Sequence, residues 1–163
     1  MTASSKILDR AGLATRLADA RAAGRTVALA NGLFDLLHVG HLRYLEAARR
    51  QADMLVVAVN SDESARTLRG PSRPIVPAVE RAELVAGFAC VDYVMIFPEI
   101  TVVPVLRDLR PDVHCKGTDY TPETLPEASA ARELGVRIAI VGDPKLHATT
   151  DLLRRIRSGA SAG

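Results

Sequence analysis

The stretch NGLFDLLHVGH, residues 31–41, crowds an amide, an acid, two glycines and two histidines into one short segment. His38 and His41 are three apart, so on a helix they share a face. The apolar run TVALA at 26–30 leads in and a helix-like segment at 38–50 leads out, which places the motif where a strand turns into a helix. The first turn of such a helix offers backbone N–H groups and a positive dipole end, both suited to phosphate. Two imidazoles beside it can donate hydrogen bonds to a phosphoryl group gaining charge. Gly32 permits an unusual backbone angle or a close approach, and Gly40 lets a ligand lie against the helix backbone. The plainer reading is a pair of surface histidines. A zinc site is a further alternative, with His114 and Cys115 completing the set. No second tight ligand pair supports it, and no protein metal site is expected. The stretch is neither GxxxxGK[ST] nor GxGxxG.

Other residues could complete a phosphate site. Lys116 in HCKGTDY follows a short strand and precedes Gly, a good position for a phosphate; it could equally be a solvated loop lysine. Arg73 in GPSRP, with Arg69 nearby, could grip an acceptor's phosphate through its guanidinium fork. Asn60, Ser61 and Asp62 follow the second strand. There Asp62 could bind sugar hydroxyls, or Ser61 could simply cap a helix. Thr149 and Thr150 open the last helix-like segment, where hydroxyls suit a phosphate and are also ordinary caps. Arg154, Arg155 and Arg157 fall in its last turns and read as solvated cations favoured at a helix C-terminus.

The elements that must position these groups are legible as five apolar runs, at 26–30, 54–59, 91–97, 112–115 and 136–141. Helix-like segments at about 38–50, 61–68, 78–88, 101–109, 122–134 and 149–157 separate them. Strands alternating with helices predict parallel βαβ units, and near-continuous apolar strands predict a sheet covered on both faces. The start of the chain, residues 1–24, reads as an amphipathic helix with Ile7, Leu8, Leu13 and Leu17 on one side, packed on the domain formed by 25–157. RGPSRPIVP at 69–77 is the one Pro-rich loop, and residues 158–163 read as a flexible tail.

The 163 residues suit one compact domain. Of these, 48% are hydrophobic and 25% charged, which argues against disorder. With 4% aromatic residues and no Trp, a stacking platform for single-stranded nucleic acid is not expected. A net charge of +2 with interleaved signs gives no basic stripe for nucleic acid. The apolar runs are too short to span a bilayer and the start lacks an apolar signal core, so no membrane partner is expected and a cytoplasmic location is. Cys90 and Cys115 read as small core residues of a reduced compartment.

Residues 31–41 resemble the first motif of the HxGH nucleotidyltransferases, the superfamily of cytidylyltransferases and adenylyltransferases. VNSDESARTLRGPSRPIVPAVERAELV at 59–85, VDYVMIF at 91–97 and PDVHCKGTDY at 111–120 are similar to the D-glycero-D-manno-heptose 1-phosphate adenylyltransferases, the ADP-heptose synthase domain. With no kinase half, the chain resembles the stand-alone form. Glycerol-3-phosphate cytidylyltransferases are the alternative. The resemblance implies a Rossmann-like α/β fold with a doubly wound five-stranded parallel sheet. It implies transfer of a nucleotidyl group, AMP from ATP in the heptose group, to a phosphorylated sugar or alcohol, with Mg²⁺ and release of pyrophosphate. It places His38 and His41 on the triphosphate, Asn31, Gly32, Leu33 and Phe34 as backbone contacts to the phosphates, and Asp35 at the substrate pocket. Lys116 and Asp119 match KGxDY, and Arg81 matches a family arginine; the alternative for Arg81 is an ion pair with Glu80 or Glu83 on an exposed face. The superfamily often reads S-T-T at the last helix, whereas this chain has Ala148 before Thr149 and Thr150, with Lys145 as the nearest upstream base. CVDYVMI resembles a dimer-interface segment of cytidylyltransferases, which implies a homodimer.

Overall fold

The computed structural model describes residues 1–144 and 149–159. A short 3₁₀ turn at Ser4–Lys6 precedes α1 (Arg10–Ala22). Then follow β1 (Val27–Gly32), α2 (Val39–Arg49), β2 (Met54–Asn60), α3 (Asp62–Arg69), α4 (Ala78–Ala86), β3 (Tyr93–Phe97), α5 (Val103–Leu109), β4 (Val113–Lys116), α6 (Ala128–Glu133), β5 (Arg137–Ile140) and α7 (Thr149–Arg157). The strands pair in parallel in the order β3-β2-β1-β4-β5. This is the doubly wound α/β sheet that the alternation of elements predicts. The chain winds outward from β1 to β3, then returns to place β4 on the other side of β1. A crevice therefore opens at the carboxyl ends of β1 and β4, where strand order reverses.

Burial follows strand periodicity. All seven residues of β2 are buried, and alternate side chains feed opposite layers. Leu55, Val57 and Val59 pack with Leu45 of α2 and Val85 of α4. Val56 and Ala58 pack with Leu13 and Leu17 of α1 and Leu106 of α5. Each fully buried Leu or Val contributes about 1.5–3 kcal/mol. At the amino end of the sheet Asp53 accepts from the Thr26 N–H at 2.9 Å, Asp112 from the Val27 N–H at 2.7 Å and Asp92 from the Leu55 N–H at 2.8 Å. These bonds fix the strands at the end opposite the crevice.

Two elements differ from the sequence reading. The amino-terminal helix starts only at Arg10, because Asp9 takes the Gly12 N–H at 2.7 Å and caps it. Ile7 and Leu8 lie outside it: Ile7 bridges Val94, and the Leu8 N–H donates to the Val94 carbonyl at 2.9 Å. They shield the edge strand β3. The expected helix at 122–134 shortens to Ala128–Glu133. Before it the Thr121 N–H donates to Thr124 Oγ1 at 3.0 Å, a hydroxyl bond that competes with helix formation. The loop 117–127 thus stays at the carboxyl end of β4. Among the described residues no helix is long and apolar enough to cross a membrane. Residues 160–163 of the expected tail lie outside the described residues.

Candidate active site

A cavity of about 550 Å³ occupies the crevice, and Asn31, Gly32, Leu33, Phe34, Gly40 and His41 all border it. His38 is the N-cap of α2, and its Nδ1 accepts the Gly40 N–H at 3.1 Å. His41 Nδ1 accepts the His38 N–H at 3.3 Å. A neutral imidazole whose Nδ1 accepts carries its proton on Nε2. One capping box therefore sets both rings as Nε2–H donors. The ring centroids are 4.0 Å apart, so the two donors act on one small region at the helix N-terminus. Gly32 serves close approach: a Cβ there would lie 3.2 Å from the Phe34 ring. The unusual backbone angles fall instead on Phe34 (φ 52°) and Leu36 (φ 56°).

Asp35 lies between those two left-handed residues and is 2% exposed. Its carboxylate accepts from the Ile75 N–H at 2.9 Å, the Val76 N–H at 3.0 Å and Arg73 Nε at 2.7 Å. Burial alone would raise its pKa, but the two amides and the guanidinium outweigh it and hold the group below the ordinary carboxylate value. Asp35, expected at the substrate pocket, borders the cavity, and its oxygens also organise the 69–77 loop and aim Arg73, which borders the same cavity with Arg69.

The expectations for Arg81 and Asp62 are corrected. Arg81 is fully buried. Its Nε donates to the Val76 carbonyl at 2.8 Å, one Nη to the Leu33 carbonyl, and the other to Asp62 Oδ1 at 2.8 Å. Asp62 Oδ1 also takes the Ala78 N–H at 2.8 Å. Neither residue borders the cavity. They tie the HxGH loop, the 69–77 loop and the start of α4 together, and Arg81 is not an exposed partner of Glu80 or Glu83. Ser61 caps α3 through the Ser64 N–H at 3.2 Å. Asn60 borders the cavity and donates to Ser64 Oγ at 3.2 Å.

Across the cavity, Lys116 ends β4. Its Nζ lies 3.4 Å from Asn31 Oδ1 and 4.7 Å from the centre of the Tyr120 ring. Burial lowers its pKa, and the charges of Glu127 and Asp119 pull it back up. His114, fully buried behind it, places Nε2 3.0 Å from the same Asn31 oxygen. Lysine can only donate, so the atom facing it is the amide oxygen. His114 must then donate from Nε2, and Asn31 turns its NH₂ away from this pair. Burial, with the Lys116 charge, pushes the His114 pKa down to about 3, so the ring is neutral. Asp119 borders the cavity beside Lys116.

The last wall is built by α2 and the segment after β5. Tyr44 Oη donates to the Cys115 carbonyl at 2.8 Å. Gly142 (φ 96°) lies so close that a Cβ would sit 3.3 Å from Tyr44 Cα. Thr150 of α7 borders the cavity, and Thr149 opens that helix. Lys145 and Ala148 lie outside the described residues. Among the described residues no group of three His, Cys, Asp or Glu side chains is placed to hold a metal. Cys115 is buried with its thiol pushed up to about 12, chiefly by burial, so it is inert. Tyr44, Gly142 and Glu127 are site residues that the sequence reading missed. Tyr44 had a signal, standing three residues after His41 on the same helix face.

A doubly wound sheet with a phosphate-suited helix end at its switch point defines a nucleotide-binding α/β protein. The chain belongs to the cytidylyltransferase-like family, whose model matches residues 29–156, and is a nucleotidyltransferase. It is 45% identical over 152 residues to the bifunctional protein HldE of Syntrophotalea carbinolica, covering 93% of this chain and 31% of that protein. The bifunctional protein HldE of Geotalea uraniireducens is 40% identical over 156 residues, covering 96% and 32%. The chain thus spans about a third of the length of these curated relatives. A crystal structure of the lipopolysaccharide core biosynthesis protein from Thermoplasma volcanium GSS1 matches with a TM-score of 0.65 at 28% identity, covering 75% of this chain and 100% of that one.

Proposed function

We propose that the chain transfers AMP from ATP to a sugar 1-phosphate, D-glycero-D-manno-heptose 1-phosphate, giving ADP-heptose and pyrophosphate. The observation that carries the chemistry is the pair of Nε2–H donors, His38 and His41, whose ring centroids lie 4.0 Å apart at the N-terminus of α2 and which border a cavity that Lys116 also borders. The likeness to HldE over nearly the whole chain, and to a lipopolysaccharide core biosynthesis protein, supports heptose as the sugar.

The triphosphate lies along the start of α2, held by the Gly32–Phe34 backbone, Lys116 and the Thr149–Thr150 end of α7. The acceptor's phosphate takes the other half of the cavity, against Arg73. An acceptor phosphate oxygen attacks the α-phosphorus in line; the new P–O bond forms as the bond to the β-phosphate bridging oxygen breaks, and pyrophosphate leaves with that electron pair. The imidazole N–H groups stabilise the extra charge on the α-phosphoryl oxygens. Both phosphates are already ionised at neutral pH, so no general base is needed, and positioning with charge stabilisation supplies the rate. Mg²⁺ carried by the triphosphate would neutralise part of its charge, and no residue of the chain is assigned to hold it.

The test is pyrophosphate release across ATP, CTP, GTP and UTP, each with both anomers of heptose 1-phosphate and with glycerol 3-phosphate. Turnover with ATP and one heptose anomer is expected. Turnover with CTP and glycerol 3-phosphate instead would replace both substrates while leaving the histidines their role.

A further inference from the structure

Glu127 is 6% exposed, borders the cavity, and has its Oε2 buried with no hydrogen-bond partner among the described residues. A buried carboxylate that lacks donors is costly, because desolvation is not repaid. Lys116 feels the Glu127 charge, but no hydrogen bond joins the two; the ammonium is engaged with the Asn31 oxygen and the Tyr120 ring. Among the described residues the Glu127 carboxylate thus has a cation near it but no donor at Oε2.

We infer that Glu127 accepts a hydrogen bond from a neutral donor of the bound nucleotide, a ribose O–H or a base N–H, and so selects the nucleoside. The inference rests on the nucleotidyltransferase reading above and goes beyond it in naming a recognition residue. Charge sorts the parts of the nucleotide along the cavity. An ionised carboxylate only accepts, and phosphate oxygens only accept and are negative, so the triphosphate cannot be the missing partner. The triphosphate is drawn to the opposite signs, at the α2 N-terminus, His38, His41 and Lys116. Glu127 follows β4 and borders the cavity with Pro126, Lys116 and the 141–144 segment, whereas Arg69 and Arg73 come from the chain that follows β2, on the other side of β1 in the sheet order. A nucleotide whose phosphates run from the start of α2 to Lys116 brings its nucleoside next to Glu127 and Pro126, which border the cavity beside that lysine. A hydrogen bond to a buried charged group is also a strong selector, since an analogue lacking the donor leaves the carboxylate unpaired.

The test is calorimetric binding of Mg²⁺-ATP, its 2′-deoxy and 3′-deoxy analogues and purine riboside triphosphate to the wild-type chain, E127A and E127Q, with thermal melts to confirm folding. Wild type should bind ATP and lose about ten- to hundredfold on one analogue. The analogue that loses affinity names the donor as a ribose hydroxyl or the base amine. E127A should bind ATP weaker by a similar factor and no longer distinguish that analogue, and E127Q, which keeps an accepting oxygen, should recover part of the loss. Equal binding of ATP and every analogue by wild type and E127A would overturn the inference. Failure of wild type to bind any nucleoside triphosphate would overturn the nucleotidyltransferase reading itself, a distinct result.

Discussion

Asp35 and Arg73 stand 38 positions apart in sequence and 2.7 Å apart in space, and the pair joins the HxGH loop to the 69–77 loop on the cavity wall. Both are largely shielded, with side-chain exposures of 1% and 16%. The Asp35 carboxylate also takes two backbone amides of the arginine's loop, so it sets the loop's path as well as the guanidinium's direction.

That relationship gives the first prediction. Arg73→Ala should raise the acceptor's KM about tenfold or more, since a charge-assisted contact to phosphate is lost, while the KM for ATP stays nearly constant. Asp35→Asn should do the same with Arg73 intact, and the double variant should be no worse than Asp35→Asn alone, because both act through one loop. Initial-rate kinetics in both substrates checks it. Additive losses, or a loss in the ATP KM instead, would break the proposed link.

Arg81→Met should destabilise the fold by about 3 kcal/mol, the scale for opening a buried, fully bonded cation site. It leaves the Leu33 and Val76 carbonyls without their donor, so activity should also fall in the molecules that remain folded. Asp62→Asn should be milder, because Asp62 is 38% exposed and water can replace the pairing. Urea unfolding followed by circular dichroism measures both.

The pH dependence of stability carries the signature of His114. An unfolded histidine takes up its proton near pH 6.5, whereas the folded one does so only at about 3. Between these values the unfolded chain binds the extra proton, so stability falls as pH is lowered through that window. The contribution is up to about 1.4 kcal/mol per pH unit. His114→Gln keeps an N–H towards Asn31 and has nothing to protonate, so its stability curve should be flatter there. Parallel curves would mean that His114 is protonated in the fold.

Gly142→Ala should cost about 1–2 kcal/mol, because φ 96° disfavours a side chain and the Cβ meets Tyr44. A thermal melt would show it as a drop in Tm of several degrees.

Much of this was readable in the residues. Periodicity places every strand to within two residues at either end, because short, near-continuous apolar runs such as MLVVAV suit a sheet covered on both faces. NGLFDLLHVGH marks the strand-to-helix switch, and KGTDY and Thr150 border the same cavity. What sequence could not show was direction. Arg81 and Glu80 are neighbours on α4, and only the packing of that helix decides which one points inward. Asp35 reads as a residue of the substrate pocket, and only the structure shows that the loop 40 residues later also bonds its oxygens. Glu127 looked like a residue of an ordinary helix, because the hydroxyl-bonded turn that halts the helix at 121–124 is a competition between nearly equal local structures.

The central claim is that the His38–His41 pair stabilises charge on a transferring phosphoryl group. It is tested most directly by the rate of pyrophosphate release from His41→Ala at saturating ATP and heptose 1-phosphate, measured beside the wild-type chain. A fall of about 10²–10³ in kcat, the scale for losing one preorganised donor, is predicted. Turnover within a few-fold of wild type would contradict the account.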